Sequence, residues 1–152
     1  MRARTPAQHL AHALGKYDPR VARLARAALS RMRRHVPGAV ELVYDNYNAL
    51  VIGFGPSEKA SEAICSLAVY PRWVNLFFLH GATLPDPTRR LKGSGMRTRH
   101  VTLEQAGDLD APEVVALIRA SLAAAATRPD PGMRRRMVLR AVAAKQRARR
   151  NA

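Results

Sequence analysis

Residues 39–79 read AVELVYDNYNALVIGFGPSEKASEAICSLAVYPRWVNLFFL, and the punctuation of this stretch decides the fold. Ala39–Tyr44 and Ala49–Phe54 are short apolar runs, and Asp45-Asn-Tyr-Asn48 between them has turn composition. Gly55-Pro56-Ser57 breaks the chain again before Glu62–Tyr70. Pro71-Arg72 separates that run from Trp73–Leu79. The latter is apolar on both faces apart from Asn75, which predicts a central strand covered on both sides. Strands joined by such short connections predict an antiparallel sheet.

Upstream, Asp18-Pro19 predicts a helix start, with a capping side chain followed by the residue tolerated in the first turn. From there to about His35 the pattern has a helical period. Val21, Leu24, Ala25, Ala28, Leu29, Met32 and Val36 fill one arc, and Arg20, Arg23, Arg26, Arg31, Arg33 and Arg34 fill the other. Pro37-Gly38 ends the helix. Downstream, residues 80–95 form a long connection, and Met96–Leu103 predicts a fifth strand. Arg97 and Arg99 share a face with Val101 and Leu103, so that strand should start outside the core and end in it. Asp110-Ala-Pro-Glu113 matches a capping box, opening a helix to about Ala126. The expected fold is therefore α+β. It is a two-layer sandwich of order α-β-β-β-β-β-α, with a mainly antiparallel five-stranded sheet and both helices on one face. Residues 1–17 read as a flexible N-terminal arm, 18–126 as the domain and 127–152 as a basic C-terminal tail.

The net charge of +15 is unevenly placed. Residues 1–36 carry nine Lys/Arg against one acid, residues 37–126 eight against nine, and residues 127–152 nine against one. Two basic flanks thus surround a nearly neutral middle. The tail Met133–Arg150 has helix-forming residues, but its cations fall all round a helix, which disfavours a membrane-surface helix. No apolar run reaches the roughly 18–20 residues that span a bilayer. With no export signal and a single cysteine, the cytoplasm is the expected compartment. Cys65 alternates with Leu67 and Val69 and reads as a buried thiol.

Three stretches carry a family resemblance. Glu41-Leu-Val-Tyr44 follows the helix-ending Pro37-Gly38, Trp73-Val-Asn-Leu-Phe-Phe78 runs into His80-Gly81, and Leu91-Lys-Gly-Ser-Gly95 leads into a strand. With the order of elements, these make the segment from Val21 to about Ala126 resemble the YdhG-like family, domain of unknown function 1801. The resemblance implies an architecture similar to frataxin-like proteins, and an iron-chaperone role has been attached to a relative. That role depends on an acidic face along the first helix. Here the matching face is arginine, which repels Fe²⁺ and offers no oxygen ligands, so the iron role is not expected to carry over.

Lys92, Gly93, Ser94 and Gly95 with Arg97 and Arg99 form the best local candidate. Two glycines let backbone amides approach an anion, and cations stand beside them. The same residues also read as a flexible strand lead-in with solvated cations, and the Walker spacing is absent. Tyr44 and Tyr47 at the first hairpin, with Trp73 and His80, form a pocket if the sheet gathers them; otherwise they are turn residues and rim aromatics. His9 and His12 have chelating spacing but no third ligand nearby, so no metal is expected. No catalytic set and no cofactor motif can be named. The leading expectation is a non-enzymatic module binding an anionic ligand or a protein partner. The alternative is a nucleic-acid-associated protein using Arg23, Arg26 and Arg34 with Arg134, Arg135, Arg136 and Arg140. Against it, eight aromatic residues (Trp, Tyr and Phe) are few for a stacking platform.

Overall fold

The computed structural model describes residues 3–150. Helix α1 (Pro6–Leu14) is fixed by a capping box. The Gln8 amide donates to Thr5 Oγ1 at 3.2 Å, and the Thr5 amide donates to Gln8 Oε1 at 2.9 Å. The segment expected to be a flexible arm thus contains a nine-residue helix. Helix α2 (Pro19–His35) starts as expected, with the Arg20 amide donating to Asp18 Oδ1 at 3.0 Å. Past its end, Gly38 has φ +77°, and a Cβ there would lie 1.8 Å from the Asp130 carbonyl oxygen. Only glycine meets both conditions.

Strands β1 (Val40–Asp45), β2 (Leu50–Gly55), β3 (Cys65–Val69), β4 (Val74–Phe78) and β5 (Arg99–Leu103) form an antiparallel meander. A sixth strand, β6 (Arg136–Val142), pairs parallel with β1, and the sheet order is β5-β4-β3-β2-β1-β6. The five-strand expectation is corrected by one strand, and that strand comes from the segment read as a tail. The physical reason is the period. On a helix the cations of the whole tail, Arg134, Arg136, Arg140, Lys145 and Arg149, do not share one face. On a strand Met137 and Leu139 share one face and pack on the core, leaving Arg136, Val138 and Arg140 on the alternate positions. Between the Val43↔Leu139 and Tyr44↔Ala141 pairs, Arg140 is the extra residue of a bulge.

Helix α3 (Pro112–Ala124) follows a short 3-10 turn at Ala106–Asp110. The expected cap is corrected. Ala111 is the N-cap and Asp110 faces α2, where it accepts from Arg31 Nε at 2.8 Å and lies 2.9 Å from His35 Nε2. The Arg31 guanidinium and the His35 ring on a packed neighbour outcompete one local amide for the carboxylate. They also hold its pKa below the usual aspartate range.

Buried residues from all three helices join one core with Val43, Ile52, Phe54, Leu67, Leu76, Phe78, Val101 and Leu103. The helices therefore share one face of the sheet, as expected for two layers. The helices cover one face of β4; on its other face Asn75 is buried at 6% exposure and accepts from Thr102 Oγ1 at 2.8 Å, while Phe77 is half-buried beside the His100 ring. Cys65 is fully buried in the core, and burial pushes its thiol up to about 12. No helix among the described residues is long and apolar enough to cross a membrane.

Candidate functional site

The β1–β2 and β3–β4 turns lie at the same end of the meander, because Leu50 pairs with both Asp45 and Val69. Beneath them sits Tyr17, 1% exposed. Its hydroxyl donates to the Val69 carbonyl at 2.7 Å and accepts from the Leu50 amide at 3.2 Å. Burial raises this phenol to about 12, so it stays protonated and keeps donating.

The chain after β6 closes over this end. The Ala143 amide donates to the Asp45 carbonyl and the Arg147 amide to the Tyr47 carbonyl, at 2.8 and 3.0 Å. Arg149, 4% exposed, donates to Asp45 Oδ1 at 3.2 Å and to the Asn46 and Tyr47 carbonyls, and its guanidinium lies 5.6 Å from the Tyr17 ring centroid. Asp45 Oδ2 lies 2.8 Å from His9 Nε2 of α1. Burial of Asp45 would raise its pKa, but the hydrogen bonds from His9 and Arg149 outweigh that and hold it low. One buried carboxylate thus ties together α1, the first hairpin and the C-terminal segment.

That closure builds a cleft. It is about 760 Å³ and is lined by Tyr47, Asn48, Tyr70, Pro71, Arg72, Trp73, Arg147, Ala148 and Arg150. Tyr47 and Trp73 are 53% and 45% exposed, and the Tyr70 and Trp73 rings stand 5.5 Å apart. Three arginines line the cleft and no carboxylate does. The aromatics, few in the sequence, are therefore concentrated where cations are. Sequence reading found Tyr47 and Trp73 but missed Tyr70, Arg72, Arg147 and Arg150. The first two were visible as neighbours of the Pro71 turn, whereas the last two needed the tail to fold back.

The opposite end of the sheet holds a second cavity of about 440 Å³. The β2–β3 connection supplies Glu62 and Ile64, the segment after β4 supplies His80 and Leu84, and the end of α3 supplies Ser121 and Ala124–Thr127. Met96 and Arg97 complete it. The structure thus separates the sequence candidates: Tyr47 and Trp73 at one end, His80 and Arg97 at the other, a strand length of roughly 17 Å apart. Tyr44, half-buried, lines neither.

Lys92 pairs with His100 through both backbone bonds, at 2.8 and 2.9 Å. Gly93 has φ +119°. The Arg99 guanidinium folds back onto the carbonyls of Gly95 and Thr98. Carbonyls, not amides, therefore meet the nearest cation, while Lys92, Ser94 and Arg97 remain exposed.

On α2, Arg23, Arg26 and Arg34 are exposed, whereas Arg33 makes a bidentate pair with buried Glu41, both contacts 2.8 Å. In the C-terminal segment Arg136 pairs with Glu58 at 2.6 Å, Arg135 lies 3.7 Å from Glu41, and Arg134 and Arg140 are exposed. Among the described residues no cluster of three or more His, Cys, Asp or Glu could hold a metal ion. Comparison with known proteins finds no matching family model, no matching curated protein and no matching solved structure.

Proposed function

We propose that this protein is a non-enzymatic binding module that holds single-stranded nucleic acid in the cleft at the hairpin end. The carrying observation is the lining of that cleft: Tyr47, Tyr70 and Trp73 among Arg72, Arg147 and Arg150, with no acid. Exposed rings accept unstacked bases, and arginines beside them neutralise the phosphates between those bases. A duplex keeps its bases stacked and offers such rings nothing. This reading sharpens the broader expectation of an anionic ligand or partner. It moves the contact from the helix arc and Arg134–Arg140 to the cleft, which the end of the tail helps to line. Membership of the YdhG-like family, with frataxin-like layering and a cytoplasmic setting, is part of the same proposal and rests on the sequence motifs alone. No iron role is proposed, because the solvent face of α2 presents Arg20, Arg23, Arg26 and Arg34.

Trp73 is the only tryptophan, so its fluorescence reports the site directly. Titration with oligothymidine should quench it saturably. Affinity should fall with salt at a log–log slope of about −2 if three phosphates are contacted. Trp73→Ala should weaken oligothymidine binding roughly 5- to 150-fold, the range of one lost base stack. Heparin, a polyanion with no bases, should bind both forms equally. Oligothymidine binding that neither quenches Trp73 nor responds to Trp73→Ala would reduce the interaction to bulk charge and defeat the proposal.

A further inference from the structure

We infer that the second cavity, at the end of the sheet away from the hairpins, is a binding site for a small amphipathic carboxylate, with Arg97 receiving the carboxylate group. The volume, about 440 Å³, falls in the range of small-molecule sites, and Ile64, Leu84, Ala124 and Ala125 give it apolar walls. The space exists because the end of α3 and the residues just after it present Ala124, Ala125 and Ala126, where longer side chains would fill it. Met96, 96% exposed at the rim, leaves a flexible apolar side chain without a protein partner.

The polar edge of the cavity determines the sign of its ligand. Arg97 is exposed and belongs to no ion pair among the described residues, yet its backbone is anchored, since its carbonyl accepts from the Ala82 amide at 2.8 Å. His80 stands on the same wall. The one carboxylate in the lining, Glu62, keeps its charge but accepts from the Ser57 hydroxyl at 2.5 Å, which leaves Arg97 as the charged side chain of the lining with no hydrogen-bonded side-chain partner. A free guanidinium at the mouth of an apolar cavity complements a molecule with one anionic end and an apolar body. A nucleotide does not fit this description, so the site is distinct in chemistry and place from the hairpin-end cleft.

The test uses the full chain and three probes of matched length: octanoate, octanol and octylammonium. Isothermal titration should show saturable octanoate binding, with octanol and octylammonium at least tenfold weaker. Arg97→Gln should cost octanoate about tenfold or more, the scale of one charged hydrogen bond, and leave octanol unchanged. Ala125→Leu fills the cavity; it should abolish octanoate binding without lowering the melting temperature. Neither variant should alter oligothymidine affinity, so this inference and the nucleic-acid reading fail separately. Octanoate and octanol binding alike, octanoate binding indifferent to Arg97→Gln, or no saturable binding at millimolar octanoate would each overturn the inference.

Discussion

The two basic flanks carry the same charge and use it in opposite ways. In the N-terminal flank, helical period sorts the residues of α2 into an apolar arc that enters the core and an arginine arc that faces out. Arg23, Arg26 and Arg34 stay in water because no carboxylate waits for them. In the C-terminal flank the same period sorts nothing, and the segment folds as an edge strand followed by a strap. Its Arg149 is buried, because Asp45, over a hundred residues earlier, supplies the counter-charge in a site already closed by Tyr17 and His9. Net charge per segment thus says little about exposure. What decides is whether a distant partner repays the desolvation of each cation.

The largest effect that separates the flanks is truncation. Removing 127–152 strips β1 of a partner along its whole length, uncovers the core at Met137 and Leu139, and leaves Asp45 buried without Arg149. The truncated chain should lose its cooperative thermal transition, followed by circular dichroism. A chain ending at Ala126 that melts at the full-length temperature would make the C-terminal flank as dispensable as its composition suggests.

Next in size is Arg149→Ala. It should cost about 3–5 kcal/mol at pH 7 in denaturant unfolding, because an uncompensated carboxylate remains inside. The pH dependence has a defined sign. Asp45 has a depressed pKa in the folded protein, so its pairing contributes fully above the unfolded aspartate value of about 3.9 and is lost as pH falls through the lower folded value. In the variant, protonation of Asp45 removes the buried charge. The stability gap should therefore close below about pH 4. A gap independent of pH would mean that Arg149 acts by packing on Tyr17 rather than through Asp45.

Much of this molecule was legible because local patterns and tertiary packing agreed. Proline and glycine marked the meander, and the arc of Val21 to Met32 predicted the helix and the face it buries. One misreading is a local pattern overruled by a distant group. Asp110 looked like a cap but is held by Arg31 and His35. Trp73 looked like the first residue of a strand, but β4 begins at Val74 and the indole turns outward beside Tyr70. Residues 136–142 fell in the segment read as a basic tail, although strand period already grouped Met137 with Leu139. The cleft was half visible: its aromatics lie in the turns, but two of its arginines reach it only through the Asp45–Arg149 closure.

The smallest expected effect tests the exposed side of the comparison. Reversing Arg23, Arg26 and Arg34 to Glu moves the net charge by six units without touching a buried contact. Stability should change by no more than about 0.5 kcal/mol per site, as for surface positions generally. The consequence for oligothymidine depends on where the strand lies. None of the three arginines lines the cleft, and in 0.15 M salt exposed charges are screened beyond about 8 Å. If the cleft is the contact, the triple variant should slow association at low salt yet bind within about twofold of the parent at 0.15 M, while Trp73→Ala stays defective under both conditions. A loss at 0.15 M that exceeds that of Trp73→Ala would transfer the contact from the cleft to the helix arc, and the exposed arginines would then be the ones the fold displays for use.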